Sequence, residues 1–143
     1  MRTTLLAAAL LCALAPALAP ALGQAEPQVQ PIRFARGTSG AEVTGGVVRG
    51  DRALFSLEAR AGQTLTARIT APEGNAVFQI WRPGAVPRQQ DGMATIDGTA
   101  LPGAAEGEDA RNWSGELPAS GAYLIVVGGT RGNAEFRLSV TVQ

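Results

Sequence analysis

The sequence predicts an all-β fold, an antiparallel and jelly-roll-like β-sandwich of about eight strands. Three observations indicate this fold. Apolar and polar residues alternate over short segments, as they do in strands that have one buried and one exposed face. Gly, Pro and Asn separate these segments at short intervals. The chain after residue 25 also lacks the apolar periodicity of an amphipathic helix.

Residues 1–25 have the composition of a cleaved secretory signal peptide. Arg2 precedes an apolar run rich in Ala and Leu, and small residues at 21–25 are typical of a cleavage site. Cleavage there would remove Cys12, the only cysteine, and leave residues 26–143 as a single domain without a disulfide. We therefore expect an exported protein, periplasmic or secreted. No later apolar run reaches the roughly 20 residues that a transmembrane helix needs.

Two strands are predicted in the first part of this domain. Residues 31–35 are expected to form a short first strand, and residues 42–49 a second one. Gly45 and Gly46 interrupt the second segment, which indicates a bulge or a close backbone approach. The triplet 49–51, Arg-Gly-Asp, spells a cell-adhesion tripeptide, but a Gly-Asp turn that leads into a strand accounts for it.

The segment 49–69 contains the clearest local pattern. Two alternating runs, 55–59 and 64–70, flank a tight turn at Ala61 and Gly62. Glycine adopts positive φ without steric cost, which suits such a turn. The two runs are therefore expected to form a hairpin whose apolar faces meet one core.

Three more strands are predicted downstream. Residues 75–82 alternate until Pro83, which ends the strand. Residues 123–127 are apolar on both faces, as expected for a central strand, and residues 134–142 alternate strictly.

Residues 84–111 do not follow these patterns. The segment is predicted to be a long irregular loop with a short edge strand at 93–96, and its small, polar remainder is expected to be mobile. Its carboxylates, Glu106, Glu108 and Asp109, lack the glycine and ligand spacing of a calcium loop. A solvated acidic loop is therefore expected here, and no metal site.

Composition narrows the functional classes. The chain has 12 basic and 12 acidic residues, and the basic ones are scattered arginines, which argues against nucleic acid as a partner. It contains no histidine and no lysine, so a serine or tyrosine nucleophile would lack an activating base. We expect no enzyme activity and no cofactor. A hydrolase that uses two scattered carboxylates has no local signature and is kept as a third hypothesis.

The chain resembles the periplasmic inhibitors of goose-type (g-type) lysozyme in the order of four segments: RFARGTSGAEVTGGVVRGD, FSLEARAGQTLTARI, WSGELPASGAYLIVV and AEFRLSVTV. More loosely, it is similar to the pre-peptidase C-terminal (PPC) β-sandwich domains of secreted proteases. The resemblance covers nearly all of the chain after residue 25. It implies a non-catalytic β-sandwich whose partner is a lysozyme or another cell-wall lytic enzyme.

The resemblance also implies a set of partner-binding residues. In that family, loops at one end of the sandwich are thought to enter the lysozyme cleft through a Ser-Gly-x-Tyr segment and an arginine-rich loop. Ser120, Gly121 and Tyr123 match the segment, and Arg131 is the counterpart of the loop. The loop at 128–133 is shorter than in the relatives and carries one arginine, which leaves fewer donors for carboxylates in an enzyme cleft.

Each of these residues also has a structural interpretation. Tyr123 is expected to pack in the core with its hydroxyl on a neighbouring backbone group, and Arg131 to be a solvated turn residue. Trp113 and Trp81 could form a sugar-stacking platform, although aromatic side chains are usually part of the core. The alternative function is a stand-alone PPC-like adhesion or glycan-binding module with Trp113 as a contact.

Overall fold

The computed structural model describes residues 26–143 and contains ten β-strands. The predicted signal peptide, including Cys12, lies outside the described residues, so its boundary at residue 25 stays a prediction. Within the described range, no helix has the length and apolarity needed to cross a bilayer. The strands in chain order are β1 (Val29–Pro31), β2 (Gly40–Val47), β3 (Arg52–Ala59), β4 (Thr64–Thr70), β5 (Ala76–Trp81), β6 (Val86–Gln90), β7 (Met93–Asp97), β8 (Asn112–Glu116), β9 (Gly121–Gly129) and β10 (Ala134–Val142).

The strands form two four-stranded sheets and one separate two-stranded sheet. Sheet A has the order β1-β3-β9-β5, and sheet B has the order β2-β10-β4-β8. Neighbouring strands are antiparallel except β1, which runs parallel to β3. The predicted all-β, predominantly antiparallel sandwich is therefore confirmed, with ten strands instead of about eight.

The main core lies between sheets A and B. Phe55 of β3 and Phe136 of β10 meet edge to face across it, with ring centroids 6.1 Å apart and an angle of 79° between the planes. Burying a large apolar side chain contributes roughly 1.5–3 kcal/mol, so this layer supplies most of the stability. The largest fully buried side chains of this core are Tyr123, Phe78, Leu57, Leu65, Ile80, Leu117, Ile125, Leu138, Val127 and Val140.

Strand β9 is apolar on both faces because both faces are covered. Tyr123, Ile125 and Val127 belong to the core between the sheets, whereas Leu124 and Val126 belong to a second cluster on the outer face of sheet A. The predicted central strand is thus confirmed, as are the strands predicted at the positions of β5 and β10.

The hairpin predicted between β3 and β4 is wrong. β3 pairs with β1 and β9 in sheet A, while β4 pairs with β10 and β8 in sheet B. The turn at Ala61 and Gly62 is present, with Gly62 at a φ of 85°, but it carries the chain from one sheet to the other. Both sheets turn their apolar faces toward the same core. Two consecutive strands therefore show the same alternation of apolar and polar residues whether they pair in one sheet or lie in opposite sheets.

The first two strands also differ from the prediction in detail. β1 ends at Pro31, whereas the sequence predicts a strand at 31–35. Ile32 donates one more backbone hydrogen bond to β3, 2.8 Å long, and the chain then crosses to sheet B. β2 runs through both of its glycines without a bulge. Gly45 instead permits a close packing contact, since a Cβ at this position would lie 2.9 Å from Phe136 Cζ.

The segment 84–111 contains the short edge strand predicted at 93–96, as β7, but the rest of it is more regular than the sequence predicts. Its first half forms a hairpin of β6 and β7, which lies over the outer face of sheet A. Ala94 is buried there against Leu54, Trp81 and the outward residues of β9. The hairpin therefore adds a third layer to the sandwich and explains why that outer face is apolar.

The second half of this segment runs along the free edge of β5. The amide of Leu101 donates to Ile80 O at 2.8 Å, and the amide of Ile80 donates to Ala104 O at 2.9 Å. Further along the edge, the amide of Phe78 donates to Ala110 O at 2.9 Å. These bonds fix a stretch that the sequence predicts to be mobile, and they satisfy backbone groups of an edge strand.

Candidate functional site

The connections between strands cluster at two ends of the sandwich. We name each end after one residue that lies there. The Ser120 end comprises residues 32–39, 60–63, 82–85 and 117–120, and the Arg131 end comprises residues 48–51, 71–75, 111 and 130–133.

The residues that the family resemblance implies do not lie together. Ser120, Gly121 and Tyr123 lie at one end of β9, and Arg131 lies beyond the other end. A strand of this length separates the two ends by about 26 Å, at about 3.3 Å per residue. If one end of the sandwich enters an enzyme cleft, that end contains either Ser120, Gly121 and Tyr123 or Arg131, but not both groups.

Tyr123 anchors the turn that leads into β9. Its side chain is 0% exposed, and its hydroxyl donates to Ala119 O at 2.7 Å. The same hydroxyl accepts a hydrogen bond from the amide of Ala119 at 3.2 Å. This is the arrangement of a tyrosine corner, in which the ring packs in the core and the hydroxyl holds nearby backbone. Tyr123 is thus not accessible to a partner while the domain is folded.

Ser120 and Gly121 join this corner to neighbouring turns. Ser120 Oγ accepts a hydrogen bond from the amide of Ala61 at 2.9 Å. Gly121 has a φ of 139°, and a Cβ there would lie 2.9 Å from Pro83 Cβ. Both residues therefore shape the Ser120 end through contacts within the chain.

The loop at the Arg131 end is organised by Asn75, which is only 2% exposed. Asn75 Nδ2 donates to Arg131 O at 3.0 Å and to Asn133 O at 2.9 Å. In return, the amide of Thr130 donates to Asn75 O at 2.9 Å. Three hydrogen bonds from one buried residue hold the loop 130–133 in a defined shape.

Two exposed arginines converge on the turn between β4 and β5. Arg131 Nη2 donates to Glu73 O at 3.3 Å, and Arg111 Nη2 donates to Gly74 O at 2.8 Å. Contacts with consecutive carbonyls bring the two guanidinium groups within about 10 Å of each other, since consecutive Cα atoms are about 3.8 Å apart. Each guanidinium has five N–H donors, so most of them are free to bind carboxylates.

The third connection at this end is tied to the same loop. The amide of Arg49 donates to Asn133 Oδ1 at 2.8 Å, which links the turn 48–51 to the loop 130–133. Arg49 is itself exposed. The Arg131 end is therefore one connected surface to which three separate segments contribute arginines.

The two tryptophans do not form a shared platform. Trp81 is buried beneath the β6–β7 hairpin, and its Nε1 donates to Gln79 Oε1 at 3.0 Å. Trp113 packs partly buried against the main core, and its Nε1 donates to Pro102 O at 2.9 Å. A Cβ on Gly115 would lie 2.7 Å from the Trp113 ring, so this ring also rests on the strand that carries it.

Two carboxylates of the acidic stretch, those of Glu106 and Glu108, bind within the chain. Glu106 Oε1 pairs with Arg52 Nη2 at 3.2 Å, and Glu108 Oε2 accepts a hydrogen bond from the amide of Ala105 at 2.8 Å. In the part of the chain that the structure describes, no group of three His, Cys, Asp or Glu side chains is placed to hold a metal ion. The exposed groups at the two ends of the sandwich are loop residues, and these can form hydrogen bonds and ion pairs with a partner.

Two residues of the Arg131 end, Asn75 and Arg111, are not recognisable as site residues from the sequence. Asn75 is predicted only as the first residue of the strand 75–82, and Arg111 only as one of the scattered arginines at the end of the segment 84–111. Their roles depend on partners in distant segments, which local patterns do not reveal.

These features define a β-sandwich module with a loop-built surface at each end. Solved structures of the same class exist. PliG of Aeromonas hydrophila, a periplasmic inhibitor of g-type lysozyme, has a TM-score of 0.60 and 31% sequence identity, and the match covers 80% of this chain and 96% of that chain. PliG of Salmonella Typhimurium has a TM-score of 0.55 and 19% identity, with 81% of this chain and 98% of that chain covered.

A more distant structure shows the fold alone. The pre-peptidase C-terminal domain of a collagenase from Bacillus anthracis has a TM-score of 0.50 and 10% identity, with 83% of this chain and 100% of that chain covered. No protein-family model matches the chain, and no curated protein matches it. Because of its identity to the Aeromonas protein over nearly that whole chain, the protein belongs to the family of periplasmic inhibitors of g-type lysozyme.

Proposed function

We propose that this protein is an exported, periplasmic and non-catalytic inhibitor that binds a g-type lysozyme. The observation that carries the proposal is the similarity to PliG of Aeromonas hydrophila, 31% identical over 96% of that chain. The lack of histidine and lysine supports a role in binding, because neither an imidazole nor an amine side chain is available as a general base.

The Arg131 end is the surface that we propose for lysozyme binding. Arg131, Arg111 and Arg49 are exposed there on separate segments, and hydrogen bonds hold the loops that carry them. Arginine binds carboxylates with two parallel hydrogen bonds, and glycoside hydrolases commonly carry carboxylates in their clefts. In this proposal Ser120, Gly121 and Tyr123 shape the opposite end and do not touch the enzyme.

An inhibition panel tests the function. The purified protein is titrated at up to micromolar concentration against goose-type, chicken-type and invertebrate-type lysozymes acting on peptidoglycan. We expect inhibition of the goose-type enzyme and weaker or no inhibition of the other two. If all three enzymes retain full activity, the protein is not a lysozyme inhibitor.

An arginine substitution tests the surface. Arg131→Ala is expected to weaken inhibition about tenfold, because arginine anchors often dominate the energy of an interface. Arg60→Ala is the matched control, since Arg60 is an exposed arginine at the Ser120 end. A larger loss with Arg60→Ala than with Arg131→Ala would move the binding surface to the other end.

A binding experiment on peptidoglycan distinguishes a glycan-binding module from a lysozyme inhibitor. Retention of the protein on peptidoglycan without enzyme, lost in Trp113→Ala, would favour a glycan module. The packing of Trp113 against Gly115 and its hydrogen bond to Pro102 support a structural role for this side chain.

A further inference from the structure

Two exposed apolar side chains line one surface depression beside the Arg131 end. Among residues 26–143, three large apolar side chains are strongly exposed: Val48 (59%), Val86 (45%) and Met93 (42%). Val48 and Met93 line one surface depression of about 350 Å³, together with Arg49 and Asp91. Val86 lies at the far end of the hairpin, paired with Asp97.

Both side chains are presented by tight turns. Asp51 donates its amide to Val48 O at 3.0 Å, which closes the turn between β2 and β3. The hairpin tip before Met93 consists of Asp91 and Gly92, both at positive φ (50° and 78°), as a two-residue hairpin turn requires. Because these turns are already fixed, little backbone conformational entropy is lost when a partner buries the two side chains.

The depression is continuous with the surface that carries Arg131. Val48 precedes Arg49, whose amide is bonded to Asn133 in the loop of Arg131. Interfaces commonly place apolar anchors beside arginines and surround both with a polar rim. Val48 and Met93 therefore add a hydrophobic contact to a surface whose other binding groups are arginines.

We infer that Val48 and Met93 form an apolar anchor that packs against the lysozyme bound at the Arg131 end, an inference that rests on the proposed function. The matching surface on the enzyme is an apolar side chain flanked by carboxylates within reach of Arg49 and Arg131.

Serine substitutions of the exposed residues test the anchor. Val48→Ser and Met93→Ser are each expected to raise the Kd for goose-type lysozyme about tenfold, measured by titration calorimetry. Val86→Ser is the matched control, because Val86 is equally exposed on the same hairpin but lies away from the depression. It should change the Kd less than twofold, and thermal unfolding should show all three variants folded.

The outcomes separate this inference from the proposed function. If the wild-type protein binds goose-type lysozyme and both serine variants bind equally well, the anchor is wrong and the proposed function stands. If the wild-type protein binds no lysozyme, both are overturned. Sedimentation of the wild-type protein alone completes the test: a dimer that the two serine variants abolish would assign the patch to a second copy and overturn the inference.

Discussion

At the scale of single residues, Asn75 connects segments that are far apart in the sequence. Its amide binds backbone carbonyls 56 and 58 residues away, and its own carbonyl accepts from Thr130. The sequence predicts Asn75 as the first residue of a strand, and no local pattern predicts its distant partners. Tyr123 is different, because a tyrosine entering a central strand of a β-sandwich is itself a known pattern, and the predicted hydroxyl-to-backbone bond is present.

Removal of the Asn75 side chain tests this connection. Asn75→Ala is expected to lower the free energy of unfolding by about 2 kcal/mol, because two partly buried hydrogen bonds to loop carbonyls are lost. Asn112→Ala, an exposed asparagine on the edge strand β8, should change it by less than about 0.5 kcal/mol. Urea denaturation of both variants measures the difference, and equal values would show that the Asn75 bonds do not stabilise the loop.

At the scale of elements, alternation predicts where strands lie but not how they pair. β3 and β4 show the expected alternation, yet they lie in different sheets, because each sheet presents its apolar face to the same core. The regular structure of the segment 84–111 could not be predicted for another reason. Its buried residues include Ala94, Leu101 and Ala104, and alanines among glycines give almost no hydrophobic signal.

The covering role of the β6–β7 hairpin can be tested with one buried and one exposed position. Ala94→Asp is expected to lower the free energy of unfolding by about 2 kcal/mol or more, since it places a carboxylate under the hairpin against apolar side chains. Gln90→Asp introduces the same group at an exposed position of the same hairpin. If chemical denaturation finds the two variants equally stable, the hairpin is not packed on sheet A as described.

At the scale of the whole molecule, the fold class and the family follow from the sequence, while the arrangement of the binding residues does not. Strand patterns and the order of four segments are enough to predict a sandwich related to lysozyme inhibitors. The separation of Ser120 from Arg131 depends on the direction of β9, which places the two connections at opposite ends. The sequence motifs therefore suggest one binding site, whereas the folded chain places Ser120 and Arg131 at opposite ends.

Hydrogen–deuterium exchange of the protein with and without goose-type lysozyme maps the end that the enzyme covers. We expect slower exchange in peptides spanning residues 48–51, 91–93 and 130–133 when the enzyme is bound, and unchanged exchange in residues 60–63 and 117–120. Protection confined to residues 60–63 and 117–120 would contradict binding through the Arg131 end, and the absence of protection anywhere would contradict lysozyme binding itself.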